Sequence, residues 1–151
     1  MKLNVVDKTI ITNLKLKELK EATGKELAKT NYWDYEHQMA TMEDGSEYLV
    51  LTDEEADEQA EIEIKNSLWA FNADFIIEHI ADVSYSTEFA NAINQMQSKL
   101  CESANDIVAA MVDDVDEFCN DAIIADGREH FISWYDGEEI ETKNFFIYRI
   151  N

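Results

Sequence analysis

Ten carboxylates stand between Glu43 and Glu63 (Glu43, Asp44, Glu47, Asp53, Glu54, Glu55, Asp57, Glu58, Glu61, Glu63), with no Lys or Arg among them. Side chains of this type at this density can hold a metal ion, pass a proton, or present negative charge to a partner. A metal site in a helical protein draws ligands from several helices, commonly a Glu and a His three residues apart. The chain has no Glu-x-x-His pair, and the Asp34/His37 pair has the right spacing but no companion. Each histidine instead directly follows a glutamate (Glu36-His37, Glu78-His79, Glu129-His130). Neighbours on a helix point about 100° apart and do not share a ligand face.

The group Asp113, Asp114, Asp116, Glu117 and Asp121 has the acidity of a calcium loop. It lacks the central glycine and the closing glutamate at the twelfth position. Carboxylate pairs suited to glycoside hydrolysis arise by chance among 33 acids, and no pocket-forming pattern singles one out. There is no phosphate loop, dinucleotide turn or Gly-x-Ser-x-Gly elbow, the motifs that would place a nucleotide or a nucleophile. Cys101 and Cys119 lack metal-type spacing and read as reduced core thiols. No catalytic residue, metal or cofactor is therefore expected, and the chain is read as a binding protein rather than an enzyme.

Charge display remains. The 151 residues carry 12 basic and 33 acidic side chains, a net charge of −21, whereas about −2 to −8 suffices to keep a small domain in solution. The excess opposes compaction by self-repulsion. It is unevenly placed: residues 1–42 hold seven lysines against six acids (+1), and residues 43–151 hold five basic against 27 acidic residues (−22). That step predicts an N-terminal appendage, 1–42, and an acidic domain, 43–151. Between Asp53 and Glu63, seven carboxylates fall on ten helical steps, one charge per about 2 Å of axis. Duplex DNA carries one per about 1.7 Å. On this reading Asp53, Glu54, Glu55, Asp57, Glu58 and Glu61 stand in for phosphates, with Asp113, Asp114, Glu117 and Asp121 as a second patch. The partner is a basic nucleic-acid-binding protein; the acidic domain itself is expected to bind neither nucleic acid nor a membrane.

The elements that must position these residues follow from pattern. With 46% apolar residues, 16 aromatics and no proline, the chain can fold into one domain with a real core. Residues 3–6 and 9–12 read as a short extended segment or hairpin. A helix is predicted over about 13–23, with Leu16 and Leu19 inward and Gly24 as its stop. A second helix from Lys25 would make a basic helix-turn-helix. Tyr48–Leu51 reads as a strand. Thr52 then opens a helix, with Glu55 at capping-box spacing and Ala56, Ala60, Ile64, Leu68, Phe71 and Phe75 as the inward stripe, broken at Asn72. A stripe from Phe89 to Ala122 predicts one long helix, or two with a break near Cys101–Ser103. Phe131–Tyr135 and Phe145–Ile150 read as strands. The sum is an α+β fold, four or five helices on a small antiparallel sheet. Trp134 or Tyr148, if exposed, would be an apolar anchor for a partner.

Five strings carry a resemblance: Leu-Thr-Asp-Glu-Glu-Ala-Asp (51–57), Ser-Leu-Trp-Ala-Phe-Asn-Ala-Asp-Phe (67–75), Asp-Gly-Arg-Glu-His-Phe (126–131), Tyr-Asp-Gly-Glu-Glu (135–139) and Phe-Ile-Tyr-Arg-Ile-Asn (146–151). Across residues 45–151 the chain resembles a family of small acidic bacteriophage accessory proteins. In size and charge it is similar to phage antirestriction and anti-CRISPR proteins that imitate DNA. The resemblance implies a stoichiometric inhibitor in the cytoplasm of an infected or lysogenic bacterium. It would occupy the cationic channel of a host defence nuclease, a restriction enzyme or CRISPR effector. It transfers no functional residues. Two other readings stand beside it: a protein-binding regulatory module whose affinity is insensitive to salt, and a DNA-binding regulator using the basic N-terminal helices.

Overall fold

In the computed structural model, which describes residues 5–151, the helices are α1 (Val5–Thr23), α2 (Asp53–Asn66), α3 (Ala73–Glu78), α4 (Thr87–Leu100), α5 (Asn105–Met111), α6 (Val115–Asp126) and α7 (Arg128–Ile132). The strands are β1 (Trp33–Asp34), β2 (Met39–Thr41), β3 (Glu47–Leu51), β4 (Ile140–Glu141) and β5 (Phe146–Arg149). They form one antiparallel sheet in the order β1-β2-β3-β5-β4. The α+β class is the one expected from sequence, with more and shorter helices. Among the described residues, no helix is long and apolar enough to cross a membrane.

The chain divides into two units, one made of the residues up to Gln59 with Arg128–Asn151, the other of Ala60–Gly127. The boundary expected at residue 42 is thus not one. Leu16 and Leu19 of α1 are buried with Ala40, Met42, Tyr48, Val50, Phe145 and Ile147 of the sheet region, so the basic N-terminal segment supplies part of the core of the first unit. Charge was a poor guide to the domain because packing follows apolar residues, which continue across the charge step.

The extended segment expected at 9–12 is helix, as are residues 5–8; positions 3 and 4 of that expectation lie outside the described residues. Strand propensity of β-branched residues is a weak preference. Here a helical face wins by burying Thr12, Lys15, Leu16 and Leu19, and the Thr12 hydroxyl donates to the Lys8 carbonyl at 2.8 Å. Gly24 stops α1 at φ +68°, its N–H bonded to the Lys20 carbonyl at 2.8 Å, the left-handed ending that glycine permits. The helix expected from Lys25 does not form. Leu27 bridges to Met42 and the Ala28 N–H donates to the Thr41 carbonyl, so this segment is spent on the sheet edge and makes no helix-turn-helix. The predicted strand at Phe131–Tyr135 is α7 and a turn. The Ser133 hydroxyl shares its one proton between Asp136 Oδ1 (2.7 Å) and the Arg149 carbonyl (2.9 Å), and the Gly137 N–H closes on the Ser133 carbonyl; these bonds outweigh the aromatic bias toward strand.

In the second unit, Ala60, Ile64, Leu68, Ile76, Val108, Phe118, Cys119 and Ala122 are buried, most of them from the predicted stripes. Asn72 caps α3 through the Asp74 N–H, the expected break. The stripe from 89 to 122 is broken twice. Cys101 takes φ +49° at the start of a 3-10 turn, Cys101–Ala104. At 112–114 the chain extends, and Asp114 caps α6 by accepting the N–H groups of Asp116 and Glu117. Both cysteines are free; Cys119 is buried as expected, but Cys101 is exposed.

Candidate functional site

The second unit holds an open cleft of about 260 Å³ lined by Glu78, His79, Ile80, Ala81, Asp113, Asp114, Glu117 and Asp121. Three local features assemble it. The 112–114 break turns the chain so that Asp113 follows α5 and its N–H donates to the His79 carbonyl at 2.8 Å, tying the end of α3 to that break. Asp114 caps the next helix, and Asp114, Glu117 and Asp121 then recur at three and four residues, the spacing of one helical side. Phe75 packs tilted against the His79 ring and Phe118 packs edge-on to it, centroids 4.7 and 4.9 Å away.

His79 connects the cleft floor to its rim. Its Nδ1 lies 2.8 Å from the Phe75 carbonyl and its Nε2 2.8 Å from Asp121 Oδ2. Both neighbours accept, so the doubly protonated ring satisfies both. Burial among the phenylalanines works against that charge, but the Phe75 carbonyl, the Asp121 carboxylate and the nearby Glu117 outweigh it and raise the pKa above the ordinary histidine value. The histidine thereby neutralises part of one carboxylate's charge. Glu78, Asp113 and Glu117 are exposed, and no Lys or Arg lines the cleft. Among the described residues, no three His, Cys, Asp or Glu side chains are disposed to share a metal ion. The arrangement can attract a cationic group and exchange a proton at His79; sequence spacing gave no hint of the His79–Asp121 contact, because it spans 42 residues.

The four second-patch residues are thus brought together. The six of the first patch meet different fates. Glu55 completes the capping box, accepting from the Thr52 N–H (2.9 Å) while its own N–H donates to Thr52 Oγ1 (3.2 Å), and it also binds Lys15 Nζ at 2.8 Å. Lys15 is almost wholly enclosed. Burial pulls its ammonium below the usual lysine range, partly offset by Glu55. Burial would raise the Glu55 carboxyl, yet hydrogen bonds from Lys15 and Thr52 hold it below its ordinary value. Asp53 and Asp57 both accept from Arg128 Nη1, at 2.8 and 3.0 Å, and Glu139 takes Arg128 Nε at 2.9 Å. The guanidinium also lies over the Phe146 ring, 4.3 Å from its centroid, and the Tyr148 hydroxyl donates to Glu139. Glu61 pairs with Lys65 at 2.6 Å, which also reaches Asp116 at 3.1 Å. Of the six, Glu54 and Glu58 are exposed and show no cationic partner among the described residues. The stretch Glu43–Glu63 lacks Lys and Arg in sequence, but Lys15, Lys25, Lys65 and Arg128 are brought to it from outside.

Trp134 is 70% exposed, with Tyr135 beside it at 58%, whereas Tyr148 is fully buried. Arg149 stacks on the Tyr135 ring at 3.7 Å. Trp134 therefore meets the exposure condition for an apolar anchor. Compared with known protein families, characterised proteins and solved structures, the chain matches none.

Proposed function

We propose that this chain is a non-enzymatic binding protein that offers its acidic surface to a basic, nucleic-acid-binding protein in place of nucleic acid. The observation that carries the reading is the convergence of Asp113, Asp114, Glu117 and Asp121 with Glu78 on one open cleft. It lies in a unit with two lysines against fourteen carboxylates, a formal −12. A concave surface lined by one sign of charge concentrates field and steers a cationic partner toward it. Glu54 and Glu58 add exposed charge on α2; Asp53, Glu55, Asp57 and Glu61 are engaged within the fold and contribute less. In its narrower form, the chain is a phage-encoded stoichiometric inhibitor of a host defence nuclease, of antirestriction or anti-CRISPR type, acting in the bacterial cytoplasm.

The test is capture from a bacterial lysate at about 50 mM and about 500 mM salt, with the retained proteins identified by mass spectrometry; screening between those concentrations weakens exposed charge pairs strongly. Retention of nucleic-acid-binding proteins at low salt only, lost in Asp113→Lys/Glu117→Lys with unchanged circular dichroism, supports the reading. Capture that survives both the salt and the reversal overturns it. That outcome would favour the second reading, a salt-insensitive binding module, for which Trp134 and Tyr135 are the exposed aromatic anchors. The DNA-binding alternative loses its second helix and has no further support.

A further inference from the structure

The first unit contains a different kind of recess, of about 370 Å³, lined by Lys8, Ile11, Thr12, Lys15, Tyr35, Gln38, Thr52 and Glu55. We infer that this recess is a binding site for a small organic anion with an apolar body, such as an aryl carboxylate, held by Lys15 and Lys8 against the Tyr35 ring and Ile11. The inference is independent of the charge display proposed for the second unit.

Lys8, Ile11, Thr12 and Lys15 recur at three, one and three residues, so one side of α1 forms a wall. Tyr35 and Gln38 come from the β1–β2 turn, Thr52 from the residue just before α2, and Glu55 from the first turn of α2. The size falls at the low end of small-molecule sites, which are mostly apolar with a few placed polar groups. Here the apolar part is Ile11 and the Tyr35 ring, the latter 58% exposed.

The polar part is built and held. Lys15, 1% exposed, has three ammonium donors. Glu55 Oε1 takes one at 2.8 Å and Gln38 Oε1 another at 2.9 Å. Gln38 is fixed in turn by donating to the Tyr35 carbonyl at 2.6 Å, with its backbone at φ +55°, a conformation that costs energy for a residue with a side chain. The Phe145 ring lies 5.6 Å from Lys15 Nζ and offers only a weak acceptor for the third donor. An anion entering the recess supplies a full one. Lys8 at the exposed rim adds a second cation. Two lysines against the single carboxylate of Glu55 make the lining locally positive in a chain of net −21, so an anion is the ligand that this lining favours over a cation.

The probe is benzoate, titrated into the full-length protein and followed by amide chemical shifts, with benzyl alcohol and benzylamine as the neutral and cationic counterparts. Saturable shifts at Ile11, Thr12 and Thr52, with a dissociation constant on the order of 1 mM, are expected for benzoate alone. Lys8→Gln and Tyr35→Ala change exposed rim residues and leave the fold intact; each should weaken benzoate about tenfold, the effect of losing one charge-assisted or stacking contact. Lys15→Met should abolish binding, but it can also unfold the unit, so the two rim variants decide. The inference is overturned if benzoate shifts do not saturate, if benzyl alcohol matches benzoate, or if both rim variants bind like the parent.

Discussion

The two units are both acidic but carry their acid in different ways. The first has ten basic residues against nineteen carboxylates, a formal −9, and the second has two against fourteen, −12, on a shorter stretch of chain. In the first, Lys15 and Arg128 are largely withdrawn from solvent and each holds carboxylates in place: Glu55 for one, Asp53, Asp57 and Glu139 for the other. Glu18 is buried there too, accepting from the Asn144 N–H and side chain and from the Thr142 hydroxyl. Acid in this unit is part of the architecture. In the second, Lys65 holds Glu61 and Asp116 and His79 holds Asp121, while Glu78, Asp113 and Glu117 stand exposed around a cleft. A count of carboxylates along the chain does not distinguish construction from display; the location of the cations does.

The contrast is most sharply broken by removing the enclosed cations. Arg128→Met should cost about 3 kcal/mol in urea denaturation, because the part-buried Glu139 carboxylate loses its counter-charge and keeps only the Tyr148 hydroxyl as a donor. Asp53 and Asp57, largely exposed, add little to that loss. Lys15→Met should cost a similar amount, about 2–3 kcal/mol, with Glu55 keeping only its cap contacts. A loss below about 0.5 kcal/mol in either would mean that the first unit, too, merely displays its acid.

A smaller effect belongs to His79. Its folded pKa is raised, so its contact with Asp121 stabilises fully below about 6.5, the unfolded value, and that contribution disappears as pH climbs through the higher folded value. Melting temperature should fall over that window in the parent and stay flatter in His79→Gln, the difference worth no more than about 1 kcal/mol since Asp121 is half exposed. Glu78, Asp113, Asp114 and Glu117 also line the histidine's cleft, and of these Glu117 reinforces the same direction. An imidazole titration by NMR with a midpoint at or below 6.5 would remove the contact from the account.

Smaller still, Asp113→Asn and Glu117→Gln should leave stability unchanged or raise it, within about 0.5 kcal/mol, by relieving repulsion. A clear loss would make the cleft structural. Thiol reagents offer a check without a change in stability: Cys101 should react readily in the native protein. Cys119 should react only on unfolding, since burial, reinforced by Glu61 and Asp116 and opposed by Lys65, pushes its thiol up to about 11.

Legibility tracked the range of the interaction. Gly24, the Thr52/Glu55 capping box, the Asn72 break and the Ala56–Leu68 stripe are local features, governed by neighbours within four residues, and each lies where the spacing puts it. The 9–12 and 131–135 segments were misread because β-branched and aromatic residues bias a chain toward strand only weakly, and helix packing in one case and Ser133 hydrogen bonds in the other decided the outcome. The second patch was legible as a helical side, Asp114, Glu117 and Asp121. Its histidine was not, and neither were Lys15 and Arg128, whose partners lie 40 and as many as 75 residues away.

Sequence by itself determined the charge, the apolar periodicities and the local stops, because each depends on residue type and near-neighbour spacing. Tertiary structure alone decided which carboxylates face a cation and which face solvent. A side chain's electrostatic environment is set by whatever the fold brings within a few ångströms of it, and for Asp53, Glu55 and Asp57 that was a cation from a distant part of the chain.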